Sequence, residues 1–237
     1  MNNQYLASTL CVSVLLIGLT TAGSASANLI KNSSFEDVSS AATGQGIMPS
    51  EWVKVNVSPD TYSNDGSYGL APYNFNNFTG VTAYDGIKWV AGWSEAGQER
   101  FGQNLTATLS EGSEYTMSGF LHQANRSDLN NPGGYELYLT DFSYDLPSSG
   151  EYLGFLGQTS SVADGWLEYS FVFTATTEMA DLSFLMFAPT GPNAYPGLDN
   201  VSLTVSAVPA PAAIWLLGFG LIGLIGLTKY KKRNVSV

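Results

Sequence analysis

The chain has 237 residues, of which 44% are hydrophobic and 12% charged, and a formal net charge of −11. An acidic surface repels nucleic-acid phosphates and anionic lipid, which argues against DNA or RNA as partners. With one histidine and one cysteine in the whole chain, multi-histidine metal centres, H-E-x-x-H chemistry and a disulfide framework are excluded.

The N-terminus reads as an export signal over residues 1–27. Leu10 to Leu19 forms an apolar core, and Ala25-Ser26-Ala27 supplies the A-x-A pattern of a signal peptidase site, so cleavage is expected before Asn28. No Lys or Arg precedes the apolar core, and Ser8-Thr9-Leu10 makes a poor lipobox ahead of Cys11. Cleavage removes that cysteine, leaving no thiol nucleophile and no cysteine-based metal site.

Residues 28–206 are long enough for one all-β domain and short for two. Period-2 runs recur through them. Tyr115, Met117 and Leu121 share one face; Tyr135, Leu137 and Leu139 share another; Leu167, Tyr169, Phe171 and Phe173 alternate with Glu168, Ser170, Val172 and Thr174. Leu182, Phe184 and Met186 are expected inward, and Leu198, Val201, Leu203 and Val205 close the domain. Turn pairs punctuate the runs at Asn64-Asp65-Gly66, Asp85-Gly86, Glu111-Gly112, Asn131-Pro132-Gly133-Gly134, Asp164-Gly165 and Gly191-Pro192-Asn193. No stretch shows a helical stripe over three turns. Short strands at this spacing predict an antiparallel β-sandwich.

Between Asn64 and Gly97 the alternation fails, and Tyr68, Tyr73, Phe75, Phe78, Tyr84, Trp89 and Trp93 crowd a Gly- and Asn-rich stretch. Exposed rings in polar loops can stack on sugar faces, which makes Tyr73, Trp89 and Trp93 candidate glycan platforms. The competing expectation is that half or more of these rings fill the core. His122, the single histidine, has no recognisable Asp or Ser partner and is expected on a sandwich face or loop edge. No G-x-S-x-G elbow occurs, and sequence spacing alone selects no carboxylate pair for glycoside hydrolysis.

The tail, residues 207–237, differs in kind. From Ala210 to Leu227, 18 residues carry no charge, enough for a helix of about 27 Å and one membrane crossing. Lys229, Lys231, Lys232 and Arg233 follow as the cytoplasmic stop. All 20 acidic residues and 5 of the 9 basic ones lie in residues 28–206, giving that part −15 against +4 for the tail.

The order Val208-Pro209-Ala210-Pro211-Ala212-Ala213, an apolar span containing Trp215-Leu216-Leu217-Gly218 and Gly220-Leu221-Ile222-Gly223-Leu224, then Lys231-Lys232-Arg233, resembles the PEP-CTERM sorting signal of Gram-negative bacteria. Ala210 stands where the eponymous motif has Glu. The resemblance implies recognition by an exosortase and processing near the Pro motif, followed by display at the cell surface or in the matrix. Such proteins accompany exopolysaccharide and biofilm formation.

A second resemblance concerns residues 28–206. Asn28-Leu29-Ile30-Lys31-Asn32-Ser33-Ser34-Phe35-Glu36 with a following Trp52, and the closing Gly197-Leu198-Asp199-Asn200-Val201-Ser202-Leu203, are similar to the first and last strands of galactose-binding-like domains and related carbohydrate-binding modules. Phe101 to Thr106 and Tyr115 to Ser118 resemble a hairpin of the same class. The resemblance implies a jelly roll, with Glu36 and Asp199 at the matching positions of a structural Ca²⁺ site. Three readings follow: a non-catalytic glycan-binding module, a matrix protein without a ligand pocket, and a polysaccharide-modifying enzyme. Fold alone does not choose among them.

Overall fold

A computed structural model describes residues 26–37, 43–64, 77–95, 98–141 and 150–206. Residues 1–25 of the signal segment, Tyr73, the sorting motif Val208 to Pro211, the apolar span that follows and the basic cluster Lys229 to Arg233 lie outside the described residues. Among the described residues no helix is long and apolar enough to cross a membrane.

Eleven strands carry the described fold: β1 (Gly44–Gln45), β2 (Val53–Lys54), β3 (Asp60–Ser63), β4 (Lys88–Ala91), β5 (Phe101–Asn104), β6 (Glu114–Gln123), β7 (Gly134–Thr140), β8 (Glu151–Leu156), β9 (Leu167–Thr174), β10 (Phe184–Thr190) and β11 (Pro196–Val205). They form two sheets, ordered β1-β3-β4-β11-β6-β9 and β2-β5-β10-β7-β8. The strand pairs are antiparallel. Facing side chains of the two sheets make one apolar core, the sandwich arrangement expected from the alternation.

The clean period-2 runs land as expected. Tyr115, Met117 and Leu121 of β6, and Tyr135, Leu137 and Leu139 of β7, are buried in the inter-sheet core. Gly119 fits the same face because a Cβ there would press on Leu156 and Leu198 at 3.1 and 3.2 Å. On the edge strand β9, Tyr169, Phe171 and Phe173 pack against the core while Leu167 is exposed. In β11 the parity changes at a bulge between Asp199 and Ser202, where Asn200 takes a φ of 45°. The bulge lets Leu198, Val201 and Leu203 all face inward despite their uneven spacing.

Three expectations fail locally. In β10 the inward residues are Leu185 and Phe187, not Phe184 and Met186. The run Phe184-Leu185-Met186-Phe187 is buried on both faces, so its sequence carries no alternation to read. Residues 28–36 do not form a first strand. Leu29 donates its amide to Leu203 O at 2.8 Å and accepts from Thr106 N at 2.9 Å, linking the two sheets. The chain then turns, with positive φ at Asn32 (42°) and Phe35 (62°). Finally, β5 and β6 are no hairpin, because they belong to different sheets; the connection buries Leu105 and Leu109 at the edge of the core.

Trp52 is the main ring of the core. It lies 4.8 Å from Phe35, 5.8 Å from Phe101 and 5.6 Å from Phe187, centroid to centroid. Its Nε1–H donates to Asn32 O at 3.0 Å, so its one polar atom is satisfied by the turn just described.

Candidate glycan-binding cleft

Register places two outward rows on the exposed face of the six-stranded sheet. One row runs Asp60, Ala91, Gly197, His122 across β3, β4, β11 and β6. The next contains Tyr62 opposite Trp89, and Asp199 opposite Phe120. Of these residues, Tyr62, Trp89 and Ala91, with Tyr195, Ala124, Phe78 and Leu129, make a second aromatic cluster separate from the inter-sheet core. Ala91 and Gly197 are small, so the middle of the face is a trough, and Phe78 from the segment 77–83 lies in it. A Cβ on Gly197 would sit 3.1 Å from the Phe78 ring.

At the Asp60 end the trough opens into a cleft of about 310 Å³, lined among others by Asp60, Trp93, Glu99, Arg126, Asn193 and Tyr195. Its walls are joined by one continuous run of hydrogen bonds. Ser58 Oγ and the Trp93 amide donate to the two oxygens of Glu99 at 3.1 and 2.8 Å. Trp93 Nε1–H donates to Asn193 Oδ1 at 2.8 Å, and Asn193 Nδ2 donates to Asp128 O at 2.6 Å. Arg126 grips Asp128 through Nε and Nη2, both at 2.6 Å, and reaches Asn77 Oδ1 at 3.2 Å. Asn77 Nδ2 donates to Tyr62 Oη at 2.8 Å, Tyr62 Oη to Tyr195 Oη at 3.4 Å, and Tyr195 Oη to Asp60. Gly46 N donates to the other Asp60 oxygen at 3.2 Å.

The electrostatics follow from burial. Asp60 is 3% exposed and Glu99 5%. Burial, reinforced by the Asp60 carboxylate, raises Glu99 to about 8, against the pull of its hydrogen bonds from Trp93 and Ser58. That shift favours the neutral form of Glu99 beside Asp60. Asp128 is drawn below the usual carboxylate range by the Arg126 hydrogen bonds. What remains facing solvent is a half-buried indole, an amide, a guanidinium and hydroxyl or carboxyl oxygens, the mixed donor and acceptor set that matches vicinal hydroxyls.

The sequence candidates are distributed unevenly. Trp93 lies in the cleft. Trp89 does not offer a platform: it is 1% exposed, stacked on Tyr62 at 5.5 Å and edge-on to Trp166 at 6.2 Å, so it belongs to the floor beneath the trough. Tyr84, also in the aromatic stretch, is exposed and stacks on Phe120 at 3.5 Å. Asp60, Glu99, Arg126, Asp128, Asn193 and Tyr195 escaped the sequence reading, because they come from four separate segments. Arg126-Ser127-Asp128 was the faint signal available.

Glu36 and Asp199 do approach one segment, but as acceptors for its backbone. Glu36 Oε1 accepts from Ile87 N at 2.8 Å and Lys88 N at 2.7 Å. Asp199 Oδ2 accepts from Tyr84 N at 2.8 Å and Asp85 N at 3.0 Å, and Oδ1 from Asn200 N at 2.7 Å. A Cβ on Gly86 would fall 2.4 Å from Glu36 Cδ, so the carboxylate rests on the loop itself. Burial raises Asp199 to about 7 in spite of those three amides. Among the described residues no group of three or more His, Cys, Asp or Glu side chains is placed to hold a metal ion. Ca²⁺ prefers 6 to 8 oxygen ligands; what the structure shows at Glu36 and Asp199 is an amide clamp on residues 84–88.

No protein-family model matches the chain, and no curated protein matches it. Solved structures do resemble it in shape. The CBM22-1 xylan-binding domain of Xyn10C from Paenibacillus barcinonensis aligns with a TM-score of 0.46 and 14% identity, over 78% of this chain and 97% of its own. The CBM22-1-CBM22-2 tandem domain of the same protein gives 0.49 and 14%, over 81% and 48%. TmCBM61, solved in complex with β-1,4-galactotriose, gives 0.40 and 13%, over 76% and 100%.

Proposed function

We propose that this chain is an exported, non-catalytic glycan-binding protein whose cleft at the Asp60 end of the outer sheet face takes a sugar residue. The observation that carries the reading is the circuit of hydrogen bonds that holds Trp93, Asn193, Arg126 and Asp128 around one opening. Trp93 supplies a flat apolar surface with its N–H already spent on Asn193, so the ring face is what a ligand meets. Asp128 and Arg126 can share their remaining donor and acceptor capacity with hydroxyls without breaking their bidentate pair. Glu99 and Asp60 act as the buried frame: their oxygens are occupied by Trp93, Ser58, Gly46 and Tyr195.

The tail's likeness to a PEP-CTERM signal supports insertion in the inner membrane, recognition by an exosortase, and release to the surface or matrix, where an exopolysaccharide is the natural ligand. Binding of the full chain, kept in detergent, to a panel of neutral and acidic polysaccharides tests the binding half, with Trp93→Ala as control. Binding lost in the variant supports the cleft; equal binding by both proteins moves the site elsewhere, and no binding by either leaves a matrix role without a pocket. Intact-mass measurement of the extracellular form tests the sorting half: residues 212 to 237 should be gone.

A further inference from the structure

The outer sheet face holds a second cavity, of about 370 Å³, at the opposite end of the trough. It is lined by Thr79, Thr82, His122, Asn125, Val162 and Trp166 together with glycine backbone and Val81. The row Asp60, Ala91, Gly197, His122 connects the two openings across four strands. At strand spacings near 4.8 Å, its two ends stand about 14 Å apart. Segment 77–82 contributes to both: Asn77 lines the first opening, and Thr79 to Thr82 line the second. Asn125 pins that segment, its amide N donating to Asn77 O at 2.9 Å, its Nδ2 to Thr79 O at 2.6 Å, while Oδ1 accepts from Thr79 N at 3.0 Å.

The chemistry of this cavity differs from that of the cleft. No carboxylate, guanidinium or ammonium is among its lining residues. His122 Nδ1 is 2.7 Å from Gln123 O, a carbonyl, so Nδ1 carries the hydrogen and Nε2 is left as an acceptor on the neutral ring. Burial lowers the His122 pKa, which keeps the ring in that neutral form. Trp166 stands edge-on to His122 at 5.2 Å, and its Nε1–H donates to Thr82 O at 2.7 Å, which fixes the plane of a half-buried ring beside the opening. An acidic sugar would find no cation here and an amino sugar no carboxylate. A neutral sugar would find an aromatic plate, threonine hydroxyls and an imidazole acceptor.

We infer that the His122–Trp166 cavity is a second subsite, specific for an uncharged sugar residue of the same glycan whose other part occupies the cleft at Trp93. The assignment rests on the glycan reading of that cleft. Two separated subsites predict length-dependent affinity, because a short oligosaccharide fills one end and a longer one reaches both.

The test is titration calorimetry of the full chain in detergent with neutral β-1,4-linked xylose, glucose, galactose and mannose oligosaccharides, two and six residues long. Val162→Arg fills the second cavity from its rim, and Trp166→Ala removes its plate. Each variant should weaken the six-residue ligand by about tenfold, the loss of roughly 1.4 kcal/mol, and leave the two-residue ligand unchanged. Trp93→Ala should weaken both lengths. Because Trp166 also packs on Trp89, a misfolded Trp166→Ala leaves the decision to Val162→Arg, checked by its near-UV circular dichroism. Unchanged six-residue affinity in Val162→Arg, or equal weakening of both lengths, overturns the second subsite while leaving the cleft standing. Failure of the unmodified protein to bind any of these ligands overturns the neutral-sugar subsite, while the cleft stands or falls on the polysaccharide panel.

Discussion

The protein keeps two aromatic assemblies back to back on the six-stranded sheet, and they obey different rules. Between the sheets, Trp52, Phe35, Phe101 and Phe187 meet apolar neighbours, with one indole N–H capped by a backbone carbonyl. On the outer face, Tyr62, Trp89 and Tyr195 pack as closely, but they carry the buried carboxyls of Asp60 and Glu99 and a neutral histidine at the edges. The inner assembly returns its stabilisation as area removed from water. The outer one ties part of that stabilisation to polar groups that must stay paired, which is costly for fold alone.

The largest effect should come from the inner assembly. Trp52→Ala is expected to cost about 4 kcal/mol in denaturant unfolding, since it opens a cavity among three rings. Trp93→Ala, at the mouth of the cleft, should cost no more than about 1 kcal/mol while weakening glycan binding. Comparable losses for the two would erase the distinction between the regions.

A smaller effect is expected at the clamp on residues 84–88. Asp199→Ala leaves the amides of Tyr84, Asp85 and Asn200 without their acceptor and should cost about 2 kcal/mol, read from denaturant midpoints. Chelator should leave the melting temperature of the unmodified protein unchanged. Melting that falls on chelation and recovers with added Ca²⁺ would instead return Glu36 and Asp199 to metal ligation.

The outer assembly also predicts a pH dependence that the inner one lacks. Glu99 titrates at about 8 in the folded protein against an ordinary 4.5, so the folded state binds more protons than the unfolded one across that window. Stability is therefore fullest below the lower value and declines as pH rises toward the upper, by at most about 1.4 kcal/mol per pH unit for one proton. Asp199, raised from 3.8 to about 7, adds to the decline in the lower part of the range. Glu99→Gln should flatten the stability profile between pH 7 and 8. A profile of the same steepness in that variant would mean that Glu99 does not titrate there.

The smallest effect expected is at the trough floor. Gly197→Ala sets a methyl 3.1 Å from the Phe78 ring, and segment 77–82 must shift by a few tenths of an ångström. Stability should fall by less than about 1 kcal/mol, whereas amide exchange at Thr79 and Val81 should quicken because the strap sits less firmly.

Much of the inner assembly was legible in the sequence, because β6 and β7 alternate cleanly and their inward residues follow from period alone. β10 was not, since four consecutive apolar residues buried on both faces hide their parity. The resemblance of Phe101 to Ser118 to a hairpin misled for a related reason: adjacency in sequence carries no record of a crossing between sheets. The outer assembly was hardly legible. Trp93 stood out by its type, yet Trp89, four residues earlier, has the same type and the opposite fate, because strand β4 places it under Phe78 and against Tyr62. Asp60, Glu99, Arg126, Asn193 and Tyr195 become a site only when long-range strand pairing brings their segments together. Glu36 and Asp199 stood out as a pair in the sequence, but the amides of residues 84–88 that they accept from did not, since backbone amides leave no signature in side-chain types.

The most direct test of the cleft uses the tryptophans themselves. Indole N–H resonances of the full chain in detergent, assigned by single Trp→Phe replacements, can be followed while a bound neutral oligosaccharide is titrated in. The Trp93 signal should move, because its ring faces the ligand and its N–H is tied to Asn193, and the Trp52 signal should stay fixed between the sheets. Saturable binding that leaves Trp93 unmoved would place the ligand elsewhere and contradict the account.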